Sequence, residues 1–184
     1  MNIFVTDPDP VKSAEVLPDK HVVKMPLETC QMLAVVYSKW YFNWGNDLLP
    51  KKDGTPYNTE KGAFRGHPCT IWAAQNIYNT AWLIQHGFGL LQEYTHRYGK
   101  IHSTESKLGE ILQIKPKNIK DNGFVEPPQA MPDYCKVPGD SIKAYQKYYV
   151  EEKIGFAKWT KRDIPNWFVA EAYAGFGEPA GYAS

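Results

Sequence analysis

The stretch Asp19-Lys20-His21-Val22-Val23-Lys24-Met25-Pro26-Leu27-Glu28 decides how the chain is expected to fold. A helix turns about 100° per residue, so His21, Lys24 and Glu28 would lie within one narrow sector of a helix here. The other side is apolar and is predicted to face the core; it contains Val22, Val23, Leu27, Cys30 and Leu33. The stretch therefore predicts an anchored helix that holds an imidazole, an ammonium group and a carboxylate together, and acid–base chemistry uses such groups.

Proline and aspartate residues indicate where the neighbouring helices begin. Asp7-Pro8-Asp9-Pro10 carries N-cap and first-turn signals for a short helix that ends near Pro18. Asp19 is then expected to cap a long helix that runs to about Trp44. Pro26 leaves two possibilities, because the long helix either continues through it with a kink or begins only there. Under the second possibility the shared polar sector is lost.

A second long helix is predicted over residues 68–98. Pro68 opens it, and Gly99 is a plausible stop. Gly87 and Gly89 lie within it, and they either weaken its middle or allow another helix to approach closely.

The remaining segments are shorter or irregular. A short helix is expected over residues 104–112, and Asp140 is expected to cap a third long helix over residues 141–159. The other segments are residues 2–6 as a strand or an extended arm, residues 45–66 and 115–139 as Pro/Gly-rich loop insertions, and residues 174–184 as a flexible tail. Residues 1–184 are therefore predicted to form a single compact domain of the mainly α class, with three long crossing helices, short helices and two long loops.

Composition limits the classes of function. A formal net charge of +1 and a pI near 7.7 argue against a protein that binds polyanions through bulk charge. Cys30, Cys69 and Cys135 show no CxxC spacing, which predicts reduced thiols in a cytoplasmic protein, and neither a metal site nor a cofactor is predicted. No apolar run approaches the ~20 residues that a membrane helix needs. Phosphate-binding loops and HExxH motifs are also absent from the sequence.

The spacing Asp19-x-His21-x6-Glu28 resembles that of the pyrimidine dimer DNA glycosylases of phages, the endonuclease V type. In that family the same pattern opens a long helix beside the N-terminal amine. Softer similarities are a helix that starts at a proline, here Pro68, and the patch Lys147-Tyr148-Tyr149. The resemblance implies a DNA glycosylase with AP-lyase activity on damaged or modified pyrimidines, located in the host cytoplasm if phage-encoded.

The resemblance also implies a mechanism. An α-amine attacks the sugar C1′, expels the base and forms a Schiff base; a typical α-amine has a pKa of about 7.7–8.0, so a useful fraction is neutral near pH 7. The family's nucleophile is a small residue exposed by removal of the initiator methionine. Asn2 is large, which predicts that Met1 is retained and supplies the amine. Glu28 would stabilise the sugar cation and assist proton transfer, while His21 would position the sugar or phosphate.

Contacts to DNA follow from the same resemblance. Lys20 and Lys24 would bind the backbone, and aromatic loops would hold a displaced base. Independently of the resemblance, Arg65 is the best single candidate for a phosphate contact, since it lies in the loop before His67. Leu27 and Gln31 stand where the family has arginines, which removes expected phosphate contacts. The predicted DNA-binding or substrate-binding residues are Asn2, Asp19, Lys20, Lys24, Arg65, His67, Trp72, Lys147 and Tyr148.

Two other classes of function stay open from the sequence. One is a non-catalytic protein that binds nucleic acid or nucleotides on the same scaffold. The other is a cofactor-free nucleotide-processing enzyme with Glu28 and His21 as acid and base. Structural roles are also possible, because His21 can be a hydrogen-bonding histidine, Glu28 can simply pair with Lys24 at i,i+4, and His67 precedes a helix start.

Overall fold

The computed structural model describes residues 1–42, 51, 53–55, 62–114 and 119–174. Within these ranges the chain is helical and contains no β-strand, which confirms the mainly α fold class. The α-helices are α1 (Pro10–Glu15), α2 (Asp19–Tyr37), α3 (Pro68–Gln75), α4 (Ile77–Tyr98), α5 (Glu105–Leu112), α6 (Ser141–Lys153) and α7 (Asn166–Ala174). Short 3-10 helices are formed by Asp133–Cys135 and Ile154–Phe156.

Helix α2 runs through Pro26 without a break, so a helix that begins only at Pro26 is excluded. Its N-cap is Pro18, and Asp19 is the first helical residue rather than the predicted cap. The predicted end near Trp44 is wrong, because the helix ends at Tyr37. Ser38 is extended there, and its hydroxyl donates to the Val35 carbonyl oxygen at 2.7 Å.

The predicted core side of α2 is only partly correct. Val22, Cys30 and Leu33 are fully buried, but Val23 and Leu27 are 45% and 41% exposed. His21 and Glu28, which were expected on the polar side, are each only 8% exposed. The periodicity of the apolar residues could not reveal this, because α2 packs on α4 and also lies against the first residues of the chain.

The predicted helix over residues 68–98 is in fact two helices. Asn76 interrupts it in an extended conformation, with φ −160° and ψ 170°, and its side-chain oxygen accepts the Asn79 N–H at 2.9 Å. Asn76 is thus the N-cap of α4, and asparagine is one of the preferred residues at that position. Gly99 ends α4 in the left-handed conformation, as predicted.

Gly87 and Gly89 allow the close helix approach that was one of the two predicted alternatives. A Cβ atom on Gly87 would meet Thr29 Cγ2 of α2 at 2.9 Å. A Cβ atom on Gly89 would meet the Cβ of Ala14 in α1 at 3.0 Å. These glycines therefore let α4 pack closely against both N-terminal helices.

Within the described part of the chain, residues 2–6 form an arm without regular secondary structure and not a strand, and Phe4 in this arm has a φ of 51°. The arm is buried, and α6 packs along it: the Gln146 side chain donates to the Thr6 carbonyl oxygen at 3.1 Å. Helix α6 ends at Lys153 instead of the predicted residue 159, and it continues as a 3-10 turn. Helix α7 was not predicted.

The predicted loops and tail are only partly described. Residues 119–139 are irregular except for one 3-10 helix, as the proline-rich sequence indicates. Much of the predicted loop 45–66 and residues 175–184 of the predicted tail lie outside the described residues.

Candidate active site

The arm formed by residues 2–6 brings the start of the chain to the middle of α2. The Met1 amine lies 3.7 Å from Glu28 Oε2, and the same oxygen accepts the Asn2 backbone N–H at 3.1 Å. Because the arm and Glu28 are separated by 26 residues in sequence, this contact depends on the tertiary fold. The carboxylate is nearly buried, so its interaction with the amine is less screened than one in water.

Lys24 supplies the second cation next to this carboxylate. Its Nζ lies 2.9 Å from Glu28 Oε1, one helical turn away, and the Lys24 side chain is 66% exposed. Each oxygen of Glu28 thus has a positively charged neighbour, one fixed by the arm and one open to solvent.

Asn2 and Met1 fix the amine in place with their side chains. The Asn2 amide donates to the Ala130 carbonyl oxygen at 2.9 Å, and its oxygen accepts the Tyr145 hydroxyl at 2.7 Å. The Met1 side chain is 1% exposed, and Thr70 Oγ1 donates to its sulfur at 3.7 Å. Asn2 therefore holds the arm, whereas the sequence predicted it as a substrate contact.

His67 lies beside the amine as the N-cap of α3. Its Nδ1 accepts the Cys69 N–H at 3.2 Å. Burial and the positive N-terminus lower the pKa of His67, and the Glu28 carboxylate opposes them. A neutral His67 whose Nδ1 accepts a hydrogen bond carries its own hydrogen on Nε2.

His21 is held in an aromatic cluster. Its Nδ1 lies 2.5 Å from the Tyr149 hydroxyl, and its ring centroid lies 4.1 Å from that of Phe4. Burial lowers the pKa of His21 to about 3, and the charges of Lys153 and Lys24 act in the same direction. The imidazole is therefore neutral near pH 7, and it is suited to hydrogen bonding rather than to storing a proton.

Basic and aromatic residues surround His21. Lys20 Nζ lies 5.0 Å from the centre of the Phe156 ring, and Lys153 Nζ lies 4.7 Å from that of Tyr148. Tyr148 stacks on Phe4 with ring centroids 6.1 Å apart. Cationic and aromatic groups of this kind suit a nucleic-acid strand, whose phosphates and bases they can contact.

The remaining predicted contacts are more scattered. Trp72 is 3% exposed, and its indole N–H donates to the Val125 carbonyl oxygen at 2.7 Å, so it belongs to the core. The Arg65 guanidinium lies 4.4 Å from the centre of a Trp40 ring. Lys147 Nζ donates to the Tyr134 carbonyl oxygen at 2.6 Å.

Asp19 belongs to a buried ionic network that sequence analysis missed. Arg97 donates to Asp19 Oδ1 at 2.8 Å and to Glu93 Oε1 at 2.6 Å, and its side chain is fully buried. Thr160 donates to the other Asp19 oxygen at 2.7 Å, and Arg162 pairs with Glu93. The i,i+4 spacing of Glu93 and Arg97 was the only part of this network visible in the sequence.

Comparison with protein families identifies one match. The model of the family described as pyrimidine dimer DNA glycosylase matches residues 1–106, from the arm into α5. That region contains the amine, Glu28, His21 and His67. No curated protein and no solved structure matches the chain significantly.

Two further properties of the described residues bear on the kind of site. None of the described helices has the length and apolarity that a membrane span needs. In the same part of the chain, no group of three His, Cys, Asp or Glu side chains could hold a metal ion.

Proposed function

Because the chain belongs to the pyrimidine dimer DNA glycosylase family, we propose that it is a glycosylase with AP-lyase activity whose nucleophile is the Met1 α-amine. The proposed substrate is DNA with a damaged or modified pyrimidine, in the cytoplasm of the cell. The observation that carries the proposal is the 3.7 Å separation between the amine and the nearly buried Glu28 carboxylate.

The proposed reaction needs a neutral amine and a carboxylate at the same sugar. The amine attacks C1′, the bond from C1′ to the base breaks, and the base leaves with the bonding electrons and is then protonated. Loss of a proton from the amine nitrogen and opening of the sugar ring give a Schiff base at C1′. Removal of a C2′ proton then expels the 3′ phosphate and cleaves the strand.

Glu28 has two proposed roles in these steps. Its negative charge stabilises the positive sugar as the base departs, and its carboxylate accepts the C2′ proton. Both roles need a carboxylate close to the attacking nitrogen, and the Asn2 N–H and the Lys24 ammonium orient it.

The surrounding residues have proposed binding roles. Lys20, Lys24, Arg65 and Lys147 would contact phosphates, and the half-buried Tyr148 would contact a base or sugar. His67 would donate from Nε2 to the substrate beside the amine, and His21 would position a phosphate. Asn2, Asp19 and Trp72 would act indirectly, because their side chains are engaged within the protein.

Borohydride trapping tests the proposal. The protein is incubated with duplexes that contain a pyrimidine dimer or an abasic site, and borohydride reduces any Schiff base to a stable covalent complex. Intact mass before the reaction identifies the first residue and hence the available amine. We expect capture by the wild type and loss of capture when the α-amine is blocked.

Two variants assign the groups. Glu28→Gln should lower the cleavage rate by about 10²–10⁴-fold, because the amide cannot accept the C2′ proton. Glu105→Gln, at an exposed glutamate of α5, is the matched control and should cleave at the wild-type rate. Capture that survives blocking of the α-amine but is lost in Lys24→Ala would assign the nucleophile to Lys24 instead. Tight, salt-dependent DNA binding without any capture would favour the non-catalytic alternative.

A further inference from the structure

The hydrogen bond between His21 and Tyr149 joins two residues that are 128 positions apart in sequence. Tyr149 lies on α6 and is fully buried, and its hydroxyl makes no other hydrogen bond within the described residues. The Phe4 ring packs against both side chains, with centroids 4.1 Å from His21 and 5.4 Å from Tyr149. The imidazole is therefore held in one orientation by three parts of the chain.

Either His21 or Tyr149 could donate in this hydrogen bond, and the two choices differ in whether the buried Tyr149 hydroxyl hydrogen has an acceptor. Burial raises the pKa of Tyr149 well above its usual value, so the hydroxyl keeps its hydrogen. If His21 donated from Nδ1, that hydroxyl hydrogen would be buried with no acceptor among the described residues, at a cost of about 1–3 kcal/mol. If Tyr149 donates to Nδ1, its hydroxyl hydrogen has an acceptor, and the ring hydrogen of His21 lies on Nε2.

The Nε2 atom of His21 has no partner among the described residues and is not completely buried. It makes no hydrogen bond to a described residue, and the buried polar atoms without a partner in that part of the chain are Asn76 Nδ2 and His86 Nε2. Lys24 from α2 and Lys153 from the end of α6 act electrostatically on the ring. Lys20 lies over Phe156, whose ring is 5.3 Å from that of His21. A neutral N–H donor among three ammonium groups suits an anionic oxygen.

We propose that Tyr149 is a positioning residue that fixes His21 in the Nε2–H tautomer, so that His21 donates a hydrogen bond to a phosphodiester oxygen of bound DNA. The identity of this ligand rests on the proposed function. The tautomer does not, because it follows from contacts within the protein. Near pH 7 the site binds through a neutral donor and the surrounding lysines, rather than through a charged imidazolium.

Nuclear magnetic resonance of protein labelled with ¹⁵N-histidine tests the tautomer directly. We expect the wild-type His21 signals to report hydrogen on Nε2 and to stay unchanged from about pH 8 to pH 5, the range in which an ordinary histidine titrates. Hydrogen on Nδ1, or protonation of the ring within that range, would overturn the proposal. This measurement needs no variant and no active enzyme.

Tyr149→Phe removes the donor and keeps the ring. We expect His21 in this variant to populate both tautomers and to bind the duplex about tenfold more weakly. Tyr37→Phe is the matched control, because it removes a hydroxyl from another buried tyrosine, and it should keep the wild-type tautomer and affinity. An unchanged tautomer in Tyr149→Phe would overturn the positioning role.

Titration with a duplex that carries a stable abasic-site analogue tests the ligand. We expect the His21 Nε2 signal to shift on saturation, whereas inorganic phosphate at the same phosphate concentration should shift it little if a DNA strand is the true ligand. An equal shift with inorganic phosphate would show a general anion site and overturn the DNA assignment. An unchanged Nε2 signal at saturation would exclude the contact. Failure of borohydride capture with the expected tautomer and shift would reject the proposed function and leave this inference standing.

Discussion

Two ionic clusters of the same helix differ in how completely their groups are paired. At the start of α2, Asp19 accepts hydrogen bonds from Arg97 and Thr160, and Arg97 also binds Glu93. We call this set, together with Arg162, the Arg97 network. In the middle of the helix, Glu28 faces the chain's amine and a largely exposed Lys24.

The two clusters differ in the burial of their cations. The Arg97 network has a buried guanidinium whose hydrogen bonds are directed to fixed protein acceptors, so it can hold the start of α2 against α4 and the segment around Thr160. The Glu28 cluster instead places the largely exposed Lys24 ammonium group and the Met1 amine beside one carboxylate. Similar residue types therefore differ between the two clusters in burial and in the number of fixed protein partners.

Replacing the cation in each cluster by methionine should give the largest contrast. Arg97→Met should lower the free energy of unfolding by about 3 kcal/mol, because it removes the buried cation shared by Asp19 and Glu93 and leaves them only Thr160 and the partly exposed Arg162. Lys24→Met should cost about 0.5 kcal/mol or less, as expected for an exposed i,i+4 pair. Urea unfolding followed by circular dichroism measures both. Equal losses in the two variants would erase the distinction between the clusters.

Gly87→Ala and Gly89→Ala should lower the free energy of unfolding by a smaller amount than Arg97→Met, and only one of them should also affect cleavage. In both variants the free energy of unfolding should fall by about 1–2 kcal/mol, because overpacking outweighs the gain in helix propensity. Only Gly87→Ala should also slow strand cleavage, since it pushes on Thr29, the neighbour of Glu28, whereas Gly89 contacts α1. Gly109→Ala, where no atom lies within 4 Å of the new Cβ, is the control and should be neutral or slightly stabilising. Equal cleavage rates in the Gly87 and Gly89 variants would show that the contact between Gly87 and Thr29 does not affect the proposed active site.

Acid should weaken the Arg97 network by a still smaller amount. Burial opposes ionisation of Asp19, but hydrogen bonds from Thr160 and Arg97 outweigh it and hold the Asp19 pKa below its usual value. The unfolded chain then binds more protons, so the stabilisation is complete above about pH 4 and is lost as the pH falls below it. Thr160→Val should therefore flatten the acid limb of the unfolding free energy plotted against pH. Thr95→Val, at an exposed threonine of α4, should keep the wild-type slope, and an unchanged slope in both would contradict this account.

Local signals predicted much of the fold. Asp9 and Asp140 cap the helices that the sequence assigned to them, and Gly99 ends α4, because caps and stops depend on a few adjacent residues. The interruption at Asn76 was missed, since asparagine is also tolerated within helices. The end of α2 at Tyr37 was missed because apolar and aromatic residues continue beyond it.

The sequence predicted the motif of the candidate site but not the partners of its side chains. The spacing of Asp19, His21 and Glu28 correctly indicated the family, which the match over residues 1–106 supports. The sequence placed His21, Lys24 and Glu28 on one polar side of the helix and Asp19 at its cap. In the structure His21 faces Tyr149, Glu28 faces the Met1 amine, and Asp19 joins the Arg97 network. Residues at such spacings share a side of the helix, but their partners come from distant parts of the chain.

The sequence by itself determined where most helices begin and which residues carry the family pattern, because both depend on residues that are close together in the sequence. Only the tertiary structure decided that the arm lies under Glu28, that His21 is buried against Tyr149, and that Trp72 belongs to the core. Burial and long-range pairing depend on which helices close on one another. At Gly87 and Gly89 the helices can pack this closely because glycine has no Cβ atom. The burial and pairing of the charged side chains are set only by that packing.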